Sequence, residues 1–427
     1  MRTAAGWLLI VALGAIAMPV GHGAEQLSIE EELAKLERGE VPELEIAGAR
    51  YRIAVFSYED PDRTGLGNTF AAFVSRQVLT GTSVSSLGVL RYEGALGPTQ
   101  PGELGYFDKI TRLSESQRPV LSIWGVIRRS ADQIVVDTYA QLPADIIDSA
   151  FTWRLMMPER MNGGALVARL GPDRFQVLRF EMSASDTDAM RAAGEALDVV
   201  RSSPASTASV VDTLPQRKVY RILGRENDWI RIAIEGGQSG WVPASGACGR
   251  ACESVAAAST FLSGLVMAME RPRVPRAESL AADARVLASQ LEAIAALNDG
   301  SIDAIERGSL PALERWLASA AGSARSIPGG AAVANLRAVS QMALALKVAA
   351  RDGSSEHGSP VATFNRLELD RETVRSIAYE LASASLDDPR NTDVLQNLAV
   401  MFDYAGDADR ADLARSLAAQ QATAPPR

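Results

Sequence analysis

The residues equipped for chemistry are few, and their spacing is informative. Only two cysteines occur in the chain, Cys248 and Cys252, and beyond residue 24 the one histidine is His357. A Cys-x-x-x-Cys pair lacks the two-residue spacing of thioredoxin-like redox sites, so a structural disulfide closing a very short loop is the expected role. Zinc would need more nitrogen or sulfur ligands than this chain offers, and no metal site is expected. A Ser or Cys nucleophile needs a positioned base. His357 lies in a Gly/Ser-rich loop, where a solvated histidine without a role is the ordinary reading. Gly65-Leu-Gly-Asn68 could cradle an anion at a helix start, yet it lacks the third glycine of a dinucleotide fingerprint and the lysine of a P-loop. It reads as a strand-to-helix turn. Glu59-Asp60 and Asp145/Asp148 are carboxylate neighbours of the kind expected by chance among 52 acidic residues. The chain is therefore expected to be non-enzymatic and to carry no cofactor.

Aromatic and cationic residues offer a different chemistry. Tyr220, Trp229 and Trp241, with Arg221 and Arg231, fall within one short segment that also carries Arg201 and Arg225. Flat rings with a polar tip bury large area at small entropic loss, and guanidinium groups pair with carboxylates. These five residues form the candidate ligand-binding set. For Trp241, which follows Gly240, a place in the core is the favoured alternative. For Tyr220 and Trp229 burial and exposure are equally compatible with the pattern.

The elements that position this set are short strands. Lys218–Ile222 and Trp229–Ile234 flank the polar turn Arg225–Asp228, and Gly236-Gly237 supplies a hairpin before Gly240-Trp241-Val242. The Arg201-Ser-x-Pro204 opening, the Leu214-Pro215 strand end, the Trp229-Ile-x-Ile pattern and the closing Gly240-Trp241-Val242 together resemble a bacterial SH3 (SH3b) module. The resemblance implies a small β-barrel over residues 199–246 that binds and does not catalyse.

On its amino side, Tyr51–Tyr58 reads as an apolar strand, Thr69–Leu79 as a helix, Ser86–Tyr92 as a strand and Gly102–Ser116 as a helix. The paired strands Val120–Arg128 and Gln133–Gln141 follow. That order specifies a mixed sheet with helices on its faces, over residues 51–198. Arg52-Ile-Ala-Val-Phe-Ser, the helix Phe70–Val78 and Pro119-Val-Leu-Ser-Ile-Trp-Gly-Val-Ile resemble the exported α/β domain of TolB-type, FlgO-type and CsgG-type envelope proteins. The lipidated cysteine of the FlgO and CsgG pattern is missing. Phe151–Leu155, Leu166–Leu170 and Phe175–Met182 read as further strands that could extend the same sheet. Ser185 or Asp186 is placed to cap a helix over Thr187–Leu197.

Residues 253–427 read as all-helical. Leu280, Ala284, Leu287, Leu291 and Ile294 repeat at helical spacing, as do Val333, Leu336, Val339, Met342 and Leu346, and Asp352–Pro360 reads as a loop. Ala384, Asp388, Pro389 and Asn391, followed by Leu395, Leu398, Ala399, Phe402, Gly406 and Ala411, resemble one tetratricopeptide repeat. The expected fold class is thus a multidomain α+β protein: a mixed α/β sheet domain, a small SH3-like β-barrel and a carboxyl-terminal helical domain.

Residues 1–24 set the compartment. Arg2, the apolar run Trp7–Met18 and the small residues through Gly23 follow the layout of a cleaved secretory signal, and residues 25–50 read as an acidic leader. No later apolar run spans a bilayer, so no stable membrane span is expected in the mature chain. A formal charge of -9 argues against nucleic acid as a partner. The sequence supports a periplasmic binding or scaffold protein engaging peptidoglycan or an envelope protein. The alternatives are an accessory or assembly subunit of an envelope export or motility system, or an unrecognised cell-wall hydrolase. Oligomeric state is not encoded in any of these patterns.

Overall fold

The computed structural model describes residues 29–40, 50–81, 87–92, 94, 105–159, 164–171, 173–197, 199–213, 220–234, 237–244, 249–269, 280–321, 329–353 and 364–423. Residues 1–24, on which the expected secretory signal falls, and Cys248 and His357 lie outside the described residues. The chain is a multidomain α+β protein with a large mixed sheet, an SH3-like module and a helical carboxyl-terminal region.

The sheet is built around β1 (Tyr51–Phe56), a YRIAVF run buried on both faces as a central parallel strand must be. It pairs in parallel with β2 (Leu87–Tyr92) on one side and β3 (Leu121–Ser130) on the other. Next come β4 (Gln133–Gln141) and β7 (Arg174–Met182), both antiparallel. Helix α2 (Gly67–Gly81) covers one face, where Phe70, Phe73 and Val78 join Ile53, Val55 and Ile123 in the main core. Helices α1 (Ile29–Glu37) and α3 (Tyr106–Gln117) cover the other, packing Ile29, Ile110 and Leu113 on Phe56, Leu90 and Trp124. Residues 29–40 of the acidic leader therefore belong to this domain, because Ile29 and Leu33 complete its second core.

Three boundaries differ from expectation. The helix after β7, α5 (Ala184–Leu197), begins three residues earlier than foreseen: Asp186 Oδ2 accepts from the Ser183 backbone N–H and Ser183 Oγ from that of Asp186, a reciprocal cap. Helix α6 (Gly249–Ala268), expected to open the helical domain, instead covers the α/β sheet. Ser263 Oγ donates to Val78 O at 2.9 Å, and Phe261 meets Phe175 edge-on. Strands β5 (Thr152–Met156) and β6 (Ala165–Arg169) do not extend the sheet. They form a separate hairpin after the short helix α4 (Ala144–Ala150).

The helices that follow are α7 (Ala282–Asp299), α8 (Ile302–Ala304), α9 (Leu310–Ala321), α10 (Gly330–Gly353), α11 (Arg371–Asp387), α12 (Thr392–Ala405) and α13 (Ala408–Thr423), and of these α10 and α12 pack on β6 of the hairpin. Asn397 of α12 does what a neighbouring strand would do. Its Oδ1 accepts from Val167 N–H at 2.7 Å, and its Nδ2 donates to Val167 O at 2.6 Å and to Asn335 Oδ1 at 2.7 Å. Asn335 Nδ2 adds a second donor to Val167 O at 2.9 Å. All of these groups are buried, so their pairing is obligatory. Beside them Arg169 reaches Asp393 at 2.8 Å and also Asp148. Burial pushes the Asp393 carboxyl up, against the opposing pull of Arg169. Helices α12 and α13 meet as the antiparallel pair expected from Leu395 to Ala411. Gly406 makes the turn at φ +77°, and Ala399 and Ala411 are buried at the crossing.

Candidate functional site

An open α/β sheet offers its ligand crevice where the strand order reverses, here beyond the carboxyl ends of β1 and β3. In this protein Tyr58 fills that space. Its ring stacks on Phe70 at 5.5 Å, its hydroxyl bonds Thr138 Oγ1 at 2.9 Å, and burial pushes its ionisation upward. Gly125 is required beneath it, because a Cβ there would lie 2.1 Å from the ring. Gly65 and Gly67 have backbone explanations as well. Asp60 accepts from the N–H groups of Thr64 and Gly65, Gly65 sits at φ +76°, and a Cβ on Gly67 would lie 2.5 Å from Tyr58 O. The carboxylate neighbours also separate into distinct roles. The Glu59 backbone bridges to β3 at Val126 and burial raises its carboxyl, Asp60 closes its loop, and Asp148 pairs with Arg169.

The aromatic and cationic set lies on five strands: β8 (Val199–Arg201), β9 (Val210–Thr213), β10 (Tyr220–Glu226), β11 (Trp229–Ile234) and β12 (Ser239–Pro243). Their order is β10-β11-β12-β8-β9. Alternation decides which side chains share a face. Val200, Ile222, Ile230, Ile232 and Val242 point inward and form the module's core. Gly240 belongs to that inward row, and a Cβ there would stand 2.3 Å from Val200 Cγ1. Trp241 therefore faces out. It is half-buried on the outer surface and not in the core, correcting the favoured alternative.

Register then assembles the site. Trp241 pairs directly with Arg231 on β11 and with Arg201 on β8, so the three residues form one cross-strand row with the tryptophan at its centre. Trp229, in register with Pro243, occupies the next outward row. Arg221, in register with Ala233, occupies the row on the other side, past a bulge between Ile222 and Gly224. Arg231 is exposed, while Trp229, Arg221 and Arg201 are half-buried. Arg201 Nη1 donates to Ala208 O at 2.7 Å, which holds its side chain against the 202–209 loop. That bulge also places Arg225 opposite the buried Ile230, away from the patch, and burial lowers its pKa.

A family model described as "Bacterial SH3 domain" matches residues 196–246. Those are the strands that carry the patch. The match covers this module alone, and indicates peptidoglycan or protein binding in general. No curated protein and no solved structure matches the chain.

Four of the five residues singled out from sequence, Arg221, Trp229, Arg231 and Trp241, share this outer surface. Tyr220 does not share a groove with Trp229. They occupy opposite ends of the β10–β11 hairpin, since Trp229 pairs with Glu226 while Tyr220 pairs with Ile234, about 20 Å along the strand. Tyr220 is also in register with Val89 of β2, and this antiparallel pairing joins the SH3 module to the α/β domain as one ten-stranded sheet. The side chain of Tyr220 lies outside the described residues. Arg201 and Pro243 complete the patch. Arg201 was legible as a local cation, whereas Pro243 carried no signal beyond its place after Trp241-Val242. Cys252 is buried on α6, directly after the module. Among the described residues no helix is long and apolar enough to cross a membrane.

Proposed function

We propose that this protein is a non-enzymatic binding or scaffold protein of the periplasm whose SH3 module engages peptidoglycan through its outer face. The observation that carries this reading is the Arg231–Trp241–Arg201 row with Trp229 beside it. Aromatic faces of this kind cover sugar rings, and paired guanidinium groups bind the carboxylates of stem peptides. An envelope protein with an acidic surface is the competing partner. The secretory layout of residues 1–24 supplies the compartment, and a Cys248–Cys252 disulfide is in keeping with it. A second reading, an assembly subunit of an envelope export or motility system, draws on the TolB-type and FlgO-type likeness. The β-α-β-α-β-β order of residues 51–141 favours it. The repeat-like α12–α13 pair would serve either reading as a further protein-binding surface.

Co-sedimentation with purified sacculi tests the first reading. The full chain is expected to sediment in a salt-sensitive way, and Trp229→Ala with Trp241→Ala to weaken this about tenfold, while circular dichroism stays unchanged. No sedimentation of the wild type, or equal sedimentation of the double variant, would remove peptidoglycan as the ligand of this face.

A further inference from the structure

Helix α11 is flanked along its whole length by a groove that the SH3 reading leaves unused. Two depressions of about 670 and 640 Å³ lie between α11 and its neighbours α10 and α9, and they meet at Glu372 and Ser376. The floor of the first is apolar, with Leu344, Val348, Leu369 and Ile377. The second holds Leu317, Ala334 and Tyr379, and Tyr379 is 80% exposed, an aromatic side chain with almost no cover. From Leu369 to Asp387 the groove runs about 27 Å, the length of a five-turn helix.

The charge of the lining is one-sided. Arg337 and Glu380 pair with each other, and among the other described lining residues the carboxylates of Asp370, Glu372 and Asp387 outnumber the cation Arg375. Asp370 also caps α11 through the N–H groups of Glu372 and Thr373, which fixes its position at the groove mouth. We infer that this groove is a second binding site, for an amphipathic helix that presents an apolar stripe edged by lysine or arginine. The apolar floor takes the stripe and the acidic rim takes the cations, the helix-in-groove mode of recognition. A second copy of this chain, with its net charge of -9, or an anionic lipid surface would meet repulsion at the same rim.

The probe is a fluorescein-labelled 18-residue helix of Leu and Lys with Leu at i, i+3, i+4 spacing, titrated with the full chain by fluorescence anisotropy. Its counterpart carries Glu in place of Lys. The Lys peptide is expected to bind, and the Glu peptide at least about tenfold more weakly. Glu372→Lys with Asp387→Lys is expected to cost the Lys peptide about tenfold. Glu181→Lys with Asp188→Lys, the same charge change on β7 and α5, should leave affinity within about twofold. Tyr379→Ala, at an exposed position that the fold does not need, should cost about fivefold, and it decides the matter should the double variant lose helicity. No binding of the Lys peptide, equal loss in both charge-reversed proteins, or unchanged affinity in Tyr379→Ala would overturn the proposal.

Discussion

The SH3 outer face and the α11 groove, the two proposed binding surfaces, carry opposite charge and are made by opposite means. On the module, strand register fixes the site: Trp241 and its two arginines are direct cross-strand neighbours, so once the hairpins close nothing else needs to be specified. At α11 the lining comes from Leu317 on α9, Ala334 to Val348 on α10 and Leu369 to Asp387 on α11, which meet only when three helices have packed. A sheet surface is thus robust to changes elsewhere in the chain. A helical groove inherits every weakness of the packing beneath it. The difference teaches where each site is vulnerable.

The largest effect is expected at Asn397. Its truncation to Ala leaves Val167 N–H and Asn335 Oδ1 buried without partners, at a cost of about 4 kcal/mol from two unsatisfied groups. Urea unfolding should show this loss, and Lys-peptide binding at α11 should fall with it while sacculus binding persists. Parallel loss of both activities would mean that the two surfaces are not independent.

Gly240→Ala is the converse. The added Cβ meets Val200 inside the SH3 core, and overpacking of this kind costs about 2.5 kcal/mol. Tryptophan fluorescence during unfolding should report it, with sacculus binding weakened and the α11 groove unaffected. An unchanged SH3 surface would show that the module yields more readily than its Gly240–Val200 contact implies.

The smallest effect is expected from reducing the proposed Cys248–Cys252 bridge. So short a loop contributes at most about 2 kcal/mol by the loop-length relation. Because Cys252 lies in the first turn of α6, a looser start of that helix is expected with both surfaces intact, measurable as hydrogen exchange there. Two titratable thiols in protein isolated from its own compartment would refute the bridge itself.

How much was legible follows from the range of the interactions involved. The runs Lys218–Ile222 and Trp229–Ile234 were legible from alternation, and composition gathered Arg221, Trp229, Arg231 and Trp241 into one candidate set without assigning them a face. Placing Trp241 in or out was not decided by its own neighbourhood. It depended on Gly240 taking the inward position against Val200, a contact across β12 and β8. Tyr220 was misjudged as a partner of Trp229, because both are aromatic and near in sequence, while the hairpin sends them to opposite ends.

The sequence by itself determined the local periods: an apolar strand from Tyr51, alternating strands at Lys218–Ile222 and Trp229–Ile234, helices after Cys252, and the small-residue crossing at Ala399 and Ala411. These depend on residues within a few positions of one another. Tertiary structure alone decided the rest. It joined β10 to β2 in one sheet, laid α6 on the α/β domain, closed the switch-point crevice with Tyr58, and handed hairpin β5–β6 to Asn335 and Asn397. Those pairings link groups as many as 230 residues apart. Hydrogen bonding and close packing at that separation carry no periodic signature in the chain, so only the folded geometry reveals them.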